Sequence, residues 1–290
     1  MRTIWARWLG HRRHGGDRAA QAAIAALLKE FRDRVLGHAG LSASDHLLDV
    51  GCGDGLIAFG ALERLRQGHV TFSDISEDLL SQCVLTAGEL SVLDHCSFIQ
   101  SSADSLQEVG DASVDVVTTR SVLIYVSKKQ RAFDEFYRVL KPGGRFSCFE
   151  PINRFPVELP QRFRRRLLGY DASAIPGIAK KVSDGFDKSS RSISTMVDFD
   201  ERDLVAMACR AGFEETHLDL RIDVEPGKPR SWEAFARSAG NPLQPSLEEV
   251  IKELLTPGER RRLERVIRPQ VERGGYQIKG AGAYLWARKV

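Results

Sequence analysis

The sequence predicts an α/β fold with a mostly parallel sheet, and two observations support this prediction. Between residues 46 and 150, short apolar runs of strand length alternate with segments of helical length. This alternation is typical of parallel sheets, in which a helix carries the chain from the end of one strand to the start of the next. The second observation is the stretch 47–62, where an apolar strand, a glycine-rich loop and a helix follow one another.

The glycine-rich loop is the strongest functional signal in the chain. The strand Leu47–Val50 is followed by glycines at alternate positions, Gly51, Gly53 and Gly55. Glycine lets the backbone turn sharply and approach a ligand because it has no Cβ atom, and the helix N-terminus behind the loop offers free N–H groups. Asp49 lies inside the strand, where a carboxylate favours a cationic ligand over a phosphate. The loop therefore predicts a nucleotide-like ligand that carries positive charge.

A second acid ends the next predicted strand, Val70–Asp74. A carboxylate can accept hydrogen bonds from both hydroxyls of a ribose, so Asp74 is a candidate ribose ligand. The alternative is that Asp74 caps the following helix, a role for which Ser76 competes. Several nucleotide cofactors contain ribose, so Asp74 alone does not distinguish between them.

The remaining strands are predicted at five places: Cys96–Gln100, Ser113–Thr119, Arg145–Glu150, Glu214–Val224 and Ala281–Arg288. In open α/β sheets, ligands bind beyond the carboxyl ends of the strands, where the strand order reverses. We therefore expect Arg120 and Tyr125, after the fourth strand, and Glu150, at the end of the fifth, to border the pocket.

Three segments resemble the class I S-adenosylmethionine (SAM) methyltransferases. Residues 48–55, Leu-Asp-Val-Gly-x-Gly-x-Gly, resemble motif I of that family. Residues 138–144, Arg-Val-Leu-Lys-Pro-Gly-Gly before the fifth strand, are a second match. Residues 101–106 resemble the adenine-flanking segment, although Ser102 stands where an aspartate is common. The resemblance covers residues 46–150 well and is looser elsewhere.

The resemblance implies a three-layer fold whose seven-stranded sheet is parallel except for one antiparallel strand. It also implies in-line transfer of a methyl group from SAM to O, N, S or C of a small organic acceptor. The cofactor-binding residues that it implies are Asp49, Gly51, Gly53, Gly55, Asp74, Ile75, Ser102, Ala103, Asp104 and Arg120.

Methyl transfer mainly requires alignment of donor and acceptor, and a base only if the acceptor atom carries a proton. The candidate bases are Tyr125 and Glu150, which follow strands in the sequence. Each has a structural alternative: Tyr125 could line the methionine pocket, and Glu150 could pair with an arginine of a lid.

The chain beyond the core predicts covering segments. We expect an N-terminal segment and cap helix (1–45), the SAM-binding core (46–150), a lid insertion (151–197), a core continuation (198–224), a helical cap insertion (225–278) and a closing strand (279–290). The leading helix either covers the SAM pocket or packs on the sheet edge.

The two insertions supply the predicted acceptor site. The lid carries a basic cluster, which suits a carboxylate or phosphate on the acceptor or is a solvated surface helix: Arg162, Arg164, Arg165 and Arg166. Aromatic side chains of the insertions are the predicted apolar walls of this site: Phe155, Phe163, Tyr170, Trp232 and Phe235.

The composition and the charge of the chain limit the kinds of partner and binding site that we expect. The net charge of +3 is too mild to indicate nucleic acid by itself, and residues 120–123 lack the Asn/Asp-Pro-Pro-Tyr/Phe pattern of nucleic-acid amino-methylating enzymes. The five cysteines are widely spaced without a C-x-x-C, which predicts reduced thiols in the cytoplasm and no zinc or other metal site. The sequence contains no apolar run of membrane-spanning length.

Three alternative functions remain: an NAD(P)-dependent oxidoreductase, a nucleic-acid methyltransferase and a non-catalytic SAM-binding protein. Against the oxidoreductase stand Asp49, the alternate spacing of the glycines and the Leu-Lys-Pro-Gly-Gly segment. A nucleic-acid enzyme would use the basic lid, and its affinity would fall steeply with salt. A non-catalytic protein would keep the loop and block access to the methyl group.

Overall fold

The computed structural model describes residues 4–157, 166–274 and 277–290. Its strands, in chain order, are β1 (His46–Val50), β2 (His69–Asp74), β3 (Cys96–Gln100), β4 (Val114–Arg120), β5 (Leu140–Pro151), β6 (Arg166–Leu167), β7 (Tyr170–Asp171), β8 (Glu215–Pro226) and β9 (Gln277–Arg288). Strands β6 and β7 form a separate hairpin, and the other seven form one sheet.

The strand order of the sheet is β3-β2-β1-β4-β5-β9-β8. Neighbouring strands from β3 to β5 are parallel, whereas β9 is antiparallel to both β5 and β8. The prediction of a seven-stranded sheet with one antiparallel strand is confirmed. The order reverses between β1 and β4, so their carboxyl ends form the switch point where ligands bind in such sheets.

The α-helices, in chain order, are α1 (Ile4–Arg7), α2 (Arg18–Ala39), α3 (Leu56–Leu62), α4 (Glu77–Glu89), α5 (Lys129–Val139), α6 (Arg154–Val157), α7 (Pro176–Ser190), α8 (Glu201–Ala211), α9 (Trp232–Arg237), α10 (Leu247–Leu254) and α11 (Pro257–Arg273). Helices α2, α3 and α4 pack on one face of the sheet, and α5 and α8 pack on the other. The sheet is therefore the middle of three layers.

Local sequence sets several helix ends. Helix α8 begins with a capping box in which the Asp200 and Asp203 side chains each accept a backbone N–H of the other residue. It ends at Gly212, whose φ of 106° lies in the left-handed region. Helices α10 and α11 also begin with capping boxes, whose N-caps are Ser246 and Thr256.

One strand boundary differs from the prediction. Strand β5 begins at Leu140 instead of Arg145, because the Lys-Pro-Gly-Gly segment stays in the strand. It is accommodated by a register shift, in which Val114 pairs with Leu140 but Val116 pairs with Arg145.

The two insertions fold together into a cap with its own core. The hairpin β6–β7 and the helices α7, α9, α10 and α11 share a hydrophobic cluster, here called the cap core. Val182, Leu263 and Val271 are fully buried in it. The arginines and the phenylalanine predicted at 162–165 lie outside the described residues, as does the side chain of Arg166.

Residues 4–16, here called the strap, contact this cap through hydrogen bonds and an ion pair. The Trp8 indole N–H donates to the carbonyl oxygen of Ala239 at 2.9 Å. The Ala239 N–H donates to the carbonyl oxygen of Arg12 at 2.8 Å, and the Arg12 guanidinium pairs with Glu249 at 2.5 Å. These contacts hold the strap across the carboxyl edge of the sheet.

All five cysteines are free thiols. Among the described residues, helices long and apolar enough to cross a membrane are absent.

We expect Phe146→Ala to lower the free energy of unfolding by about 3–5 kcal/mol. Phe146 is fully buried between Phe133 and Phe136 of α5 and Phe213, with ring centroids 5.0–5.9 Å away. Urea unfolding followed by circular dichroism measures the change. The control is Leu85→Ala, whose side chain is 68% exposed, and which should change stability by less than about 0.5 kcal/mol. Equal losses in both variants would contradict this packing.

Candidate functional site

A cavity of about 660 Å³ lies at the carboxyl ends of β1, β2 and β4, at the switch point. Its floor comes from the sheet and its roof from the strap and α2. Most of the predicted site residues line it: Gly51, Gly53, Asp74, Ile75, Ser102, Ala103, Asp104, Arg120 and Tyr125. Asp49, Gly55 and Glu150 do not line it.

Two glycines of the loop are required by close packing. Gly51 has a φ of 68°, and a Cβ atom there would lie 2.3 Å from Cγ2 of Val122. Gly55 has a φ of 82° at the N-terminus of α3, and its Cβ atom would lie 2.4 Å from the ring of Phe59. The backbone therefore passes close beneath the cavity, as the spacing of the glycines predicts.

Asp49 lies beneath the loop instead of in the cavity. Its Oδ1 accepts the Thr118 hydroxyl at 2.9 Å, and its Oδ2 accepts the Ala58 N–H at 3.2 Å. Burial raises the pKa of Asp49 to about 7. The Asp49 carboxylate thus connects β1 to β4 and to α3 by hydrogen bonds. Its charge acts on a cation bound in the cavity only through the loop, because Asp49 does not line the cavity.

Asp74 lines the cavity, and its carboxylate also holds the backbone at the edge of the cavity by hydrogen bonds. Its Oδ2 accepts the Gly53 N–H and its Oδ1 accepts the Ser76 N–H, both at 2.9 Å. The Ile75 N–H also interacts with this carboxylate, which still has acceptor capacity for a hydroxyl group because a carboxylate has about four lone-pair sites. Burial raises the pKa of Asp74. Ile75 beside it is 52% exposed and offers an apolar surface at the same edge.

The adenine-flanking segment lies on the same side of the cavity as Asp74. Ser102, Ala103 and Asp104 all line the cavity. The Ser102 hydroxyl donates to Oδ1 of Asp104 at 2.5 Å. The acid two residues downstream of Ser102 therefore reaches the place where an aspartate is common in the family.

Glu150 is not in the cavity, although its neighbours Phe149 and Pro151 are. Side chains alternate across a strand, and Glu150 points into the turn after β4. There Oε1 accepts the N–H groups of Val122 and Leu123 at 2.8 and 3.0 Å. Burial raises the pKa of Glu150 to about 7. The structure thus corrects the predicted role as a base, because this carboxylate does not line the cavity. The lid arginines predicted as its partners lie outside the described residues.

Tyr125 does face the cavity. Its ring packs edge-on against Trp5, with centroids 4.8 Å apart. Burial, the largest cause, and the nearby charge of Glu150 raise the pKa of the phenol. The phenol is therefore protonated at neutral pH, which suits a hydrogen-bond donor better than a base.

The strap supplies cavity residues that the sequence did not reveal as functional. Trp5, Trp8, Leu9 and Arg13 all line the cavity. The spacing of the first three, i, i+3 and i+4, is the one signal that could have identified a shared helical face. From α2, Phe31 lines the cavity and stacks on Phe149 at 4.2 Å.

The leading helix has both of the roles considered from the sequence. Its middle borders the cavity through Ile24 and Phe31. Its end packs on the sheet through Val35, Leu36 and Ala39, which are buried.

The predicted apolar walls require a correction. Tyr170, Trp232 and Phe235 belong to the cap core, and Phe155 packs on the core beside β5. None of these four lines the 660 Å³ cavity. They pack within their own layers because the insertions bury their aromatic side chains against each other.

Comparison with known proteins agrees with this geometry. A family model described as a methyltransferase domain matches residues 48–148. The chain is 37% identical over 169 residues to the ubiquinone/menaquinone biosynthesis C-methyltransferase UbiE of Brucella anthropi, a match that covers 58% of this chain and 62% of that protein. The protein of the same name from Brucella abortus is 36% identical over 169 residues, with 58% and 61% covered.

Residues 48–148 of this chain match a methyltransferase domain. The family resemblance predicted from motif I and the Lys-Pro-Gly-Gly segment is thereby confirmed. The match spans somewhat less than two thirds of the length of these relatives.

Solved structures share the fold of the methyltransferase domain and its surroundings. The YcgJ protein of Bacillus subtilis has a TM-score of 0.55 at 15% identity, covering 90% of this chain and 98% of that chain. A geranyl diphosphate methyltransferase in complex with SAM has a TM-score of 0.53 at 17% identity, covering 95% and 92%. At these identities the likeness establishes the fold alone.

We expect Gly51→Ala to destabilise the methyltransferase domain by more than Gly143→Ala does. Both glycines have a positive φ, 68° and 78°, so both variants carry similar backbone strain, of about 1–2 kcal/mol. Only Gly51 adds a clash, because a Cβ atom at Gly143 meets nothing within 4 Å. Thermal unfolding of the two purified variants gives the difference, and equal midpoints would contradict the close approach of the loop to Val122.

Proposed function

We propose that this protein is a SAM-dependent methyltransferase that acts on a small organic acceptor. The observation that carries the proposal is the cavity at the switch point, where the glycine loop and Asp74 meet beneath the strap. Its volume of about 660 Å³ lies within the range of small-molecule sites, roughly 300–1,000 Å³. The methyltransferase domain and the names of the relatives agree with this activity.

The residues present fit SAM. Asp74 keeps acceptor capacity for a ribose hydroxyl, and Ile75 offers an apolar surface to the adenine. Asp104, with Ser102, can accept from the adenine amino group. Beside the loop, Gly53 leaves its cavity side open, because a Cβ atom there would meet only Leu9, at 3.7 Å. The methionine part would then lie over the loop, towards Arg120.

The protein's task in this reaction is to align two molecules and to exclude water. SAM supplies a methyl group on a positively charged sulfur, which a nucleophile displaces in line with the carbon–sulfur bond. Trp5, Trp8 and Leu9 of the strap supply apolar walls that keep water from that line. Tyr125 supplies a hydroxyl that can donate to the acceptor.

The acceptor is proposed at the level of a small organic molecule. The relatives named above are C-methyltransferases of ubiquinone/menaquinone biosynthesis, so methylation at carbon is one candidate alongside O, N and S. The position of the cavity beneath the strap favours a small molecule over nucleic acid. A cytoplasmic location belongs to the same proposal and is supported by the five free thiols.

Calorimetric titration of the purified protein with SAM, S-adenosylhomocysteine and NADH tests the proposal. We expect binding of the first two at about micromolar dissociation constants, near −8 kcal/mol, and no heat with NADH. Binding of NADH alone would make the protein an NAD-dependent oxidoreductase. Binding of none of the three would reject the proposed cofactor.

We expect Asp74→Asn to weaken S-adenosylhomocysteine binding about tenfold or more, at least about 1.4 kcal/mol. The amide retains one acceptor oxygen but puts a donor where a hydroxyl must donate. Asp94→Asn is the matched control, because Asp94 is exposed and lies outside the cavity. Calorimetry of both variants gives the comparison, and equal affinities would remove Asp74 from the ribose site.

A further inference from the structure

Two arginine side chains enter the cavity from opposite sides. Arg120 is the last residue of β4 on the floor, and Arg13 belongs to the strap. The charge of Arg120 helps to lower the pKa of Arg13, which burial brings to about 10. Burial also lowers the pKa of Arg120. Two like charges therefore share a partly desolvated space.

Neither guanidinium has a carboxylate partner within 4 Å among the residues that the structure describes. The contact of Arg120 is the Ser121 hydroxyl at 3.4 Å, and Arg13 lies over the Trp8 ring at 5.3 Å. Arg12, one residue earlier, does pair with Glu249. Within the strap, therefore, Arg12 outside the cavity has an ion pair, whereas Arg13 inside the cavity has none among the described residues.

The acidic side chains whose charges act on these arginines either already accept hydrogen bonds or lie outside the cavity. Asp49 and Glu150 accept hydrogen bonds from the backbone and from Thr118. Asp54 interacts with both arginines through its charge, but it is exposed and does not line the cavity. A partly buried cation is stabilised by an anion close to it, so the cavity favours a ligand with an anionic group beside these two arginines.

The carboxylate of SAM can pair with both guanidinium groups, but its single negative charge balances only one of their two positive charges. SAM also carries a sulfonium and an ammonium group, so it brings a net positive charge into the cavity. An anionic acceptor would supply the second negative charge. We propose that Arg13 and Arg120 together bind an anionic oxygen group of the methyl acceptor, such as a carboxylate or an enolate. This inference rests on the proposed function.

Two neighbours complete the anion site. Tyr125 lies close enough to both arginines for their charges to influence its phenol, and its hydroxyl donates. Asn153 also lines the cavity, and its buried Nδ2 has no hydrogen-bond partner in the described part of the chain. Guanidinium groups bind planar carboxylates through paired N–H donors. The acceptor would be held by its anionic end while Trp5 and Trp8 cover its apolar part.

The test is calorimetry on the full chain saturated with S-adenosylhomocysteine. The probes are benzoate and its neutral analogue benzamide. The variants are Arg13→Gln and Arg120→Gln, with Arg13→Lys to retain the charge, and Arg7→Gln as the control because Arg7 is an exposed arginine of the same strap. Circular dichroism verifies that each variant is folded.

We expect wild type to bind benzoate at least about tenfold more tightly than benzamide. Both glutamine variants should lose that preference, Arg13→Lys should retain part of it, and Arg7→Gln should retain all of it. Equal binding of the two probes, no binding of benzoate, or an unchanged preference in both glutamine variants would overturn the proposal.

A second titration distinguishes the acceptor's anion from the carboxylate of the cofactor. 5′-Methylthioadenosine has the adenine and ribose of S-adenosylhomocysteine but lacks its amino-acid end. If both glutamine variants lose S-adenosylhomocysteine affinity about tenfold while retaining that for 5′-methylthioadenosine and for benzoate, the arginines bind the cofactor and the proposal fails. If wild type binds neither adenosine ligand, the proposed function itself fails, which is a separate outcome.

Discussion

The buried carboxylate of Asp49 holds together the three elements that form the ligand site. It belongs to β1, accepts the hydroxyl of Thr118 on β4, and accepts the N–H of Ala58 in α3. Burying a carboxylate without hydrogen-bond partners raises the free energy of the folded state. Packing arrangements that provide these contacts are therefore favoured over those that do not. They determine how the ends of β1 and β4 face each other at the switch point. The loop glycines and Arg120 then follow from that arrangement.

Glu150 has the corresponding role on the other side of β4. Its carboxylate orders the turn of Val122 to Tyr125, and Val122 is the residue against which Gly51 packs. Burial raises the pKa of both acids to about 7. Neither acid lines the cavity, yet together they preorganise the residues that do. Such supporting contacts allow a site to hold its geometry before a ligand arrives.

The cofactor side and the acceptor side of the cavity have different origins in the chain. Residues that fit the cofactor come from the methyltransferase domain, 48–148. The roof comes from the strap and α2, and the strap is fastened to the cap by Trp8 and Arg12. The cap has its own hydrophobic core, so it can vary in sequence without disturbing the sheet. In the proposed function, the domain binds the cofactor, and the covering segments contribute with it to the acceptor site.

The sequence by itself determined the sheet, the glycine loop and the acid at the end of β2, because strand periodicity and glycine spacing are local. Only the tertiary structure decided which of the candidate side chains are turned away from the cavity and which remote residues join it. Glu150 is directed into a backbone turn by strand alternation. Arg13, distant in sequence from β4, is brought beside Arg120 by the docking of the strap. Contacts between remote segments depend on how whole layers pack, and local pattern carries no information about that packing.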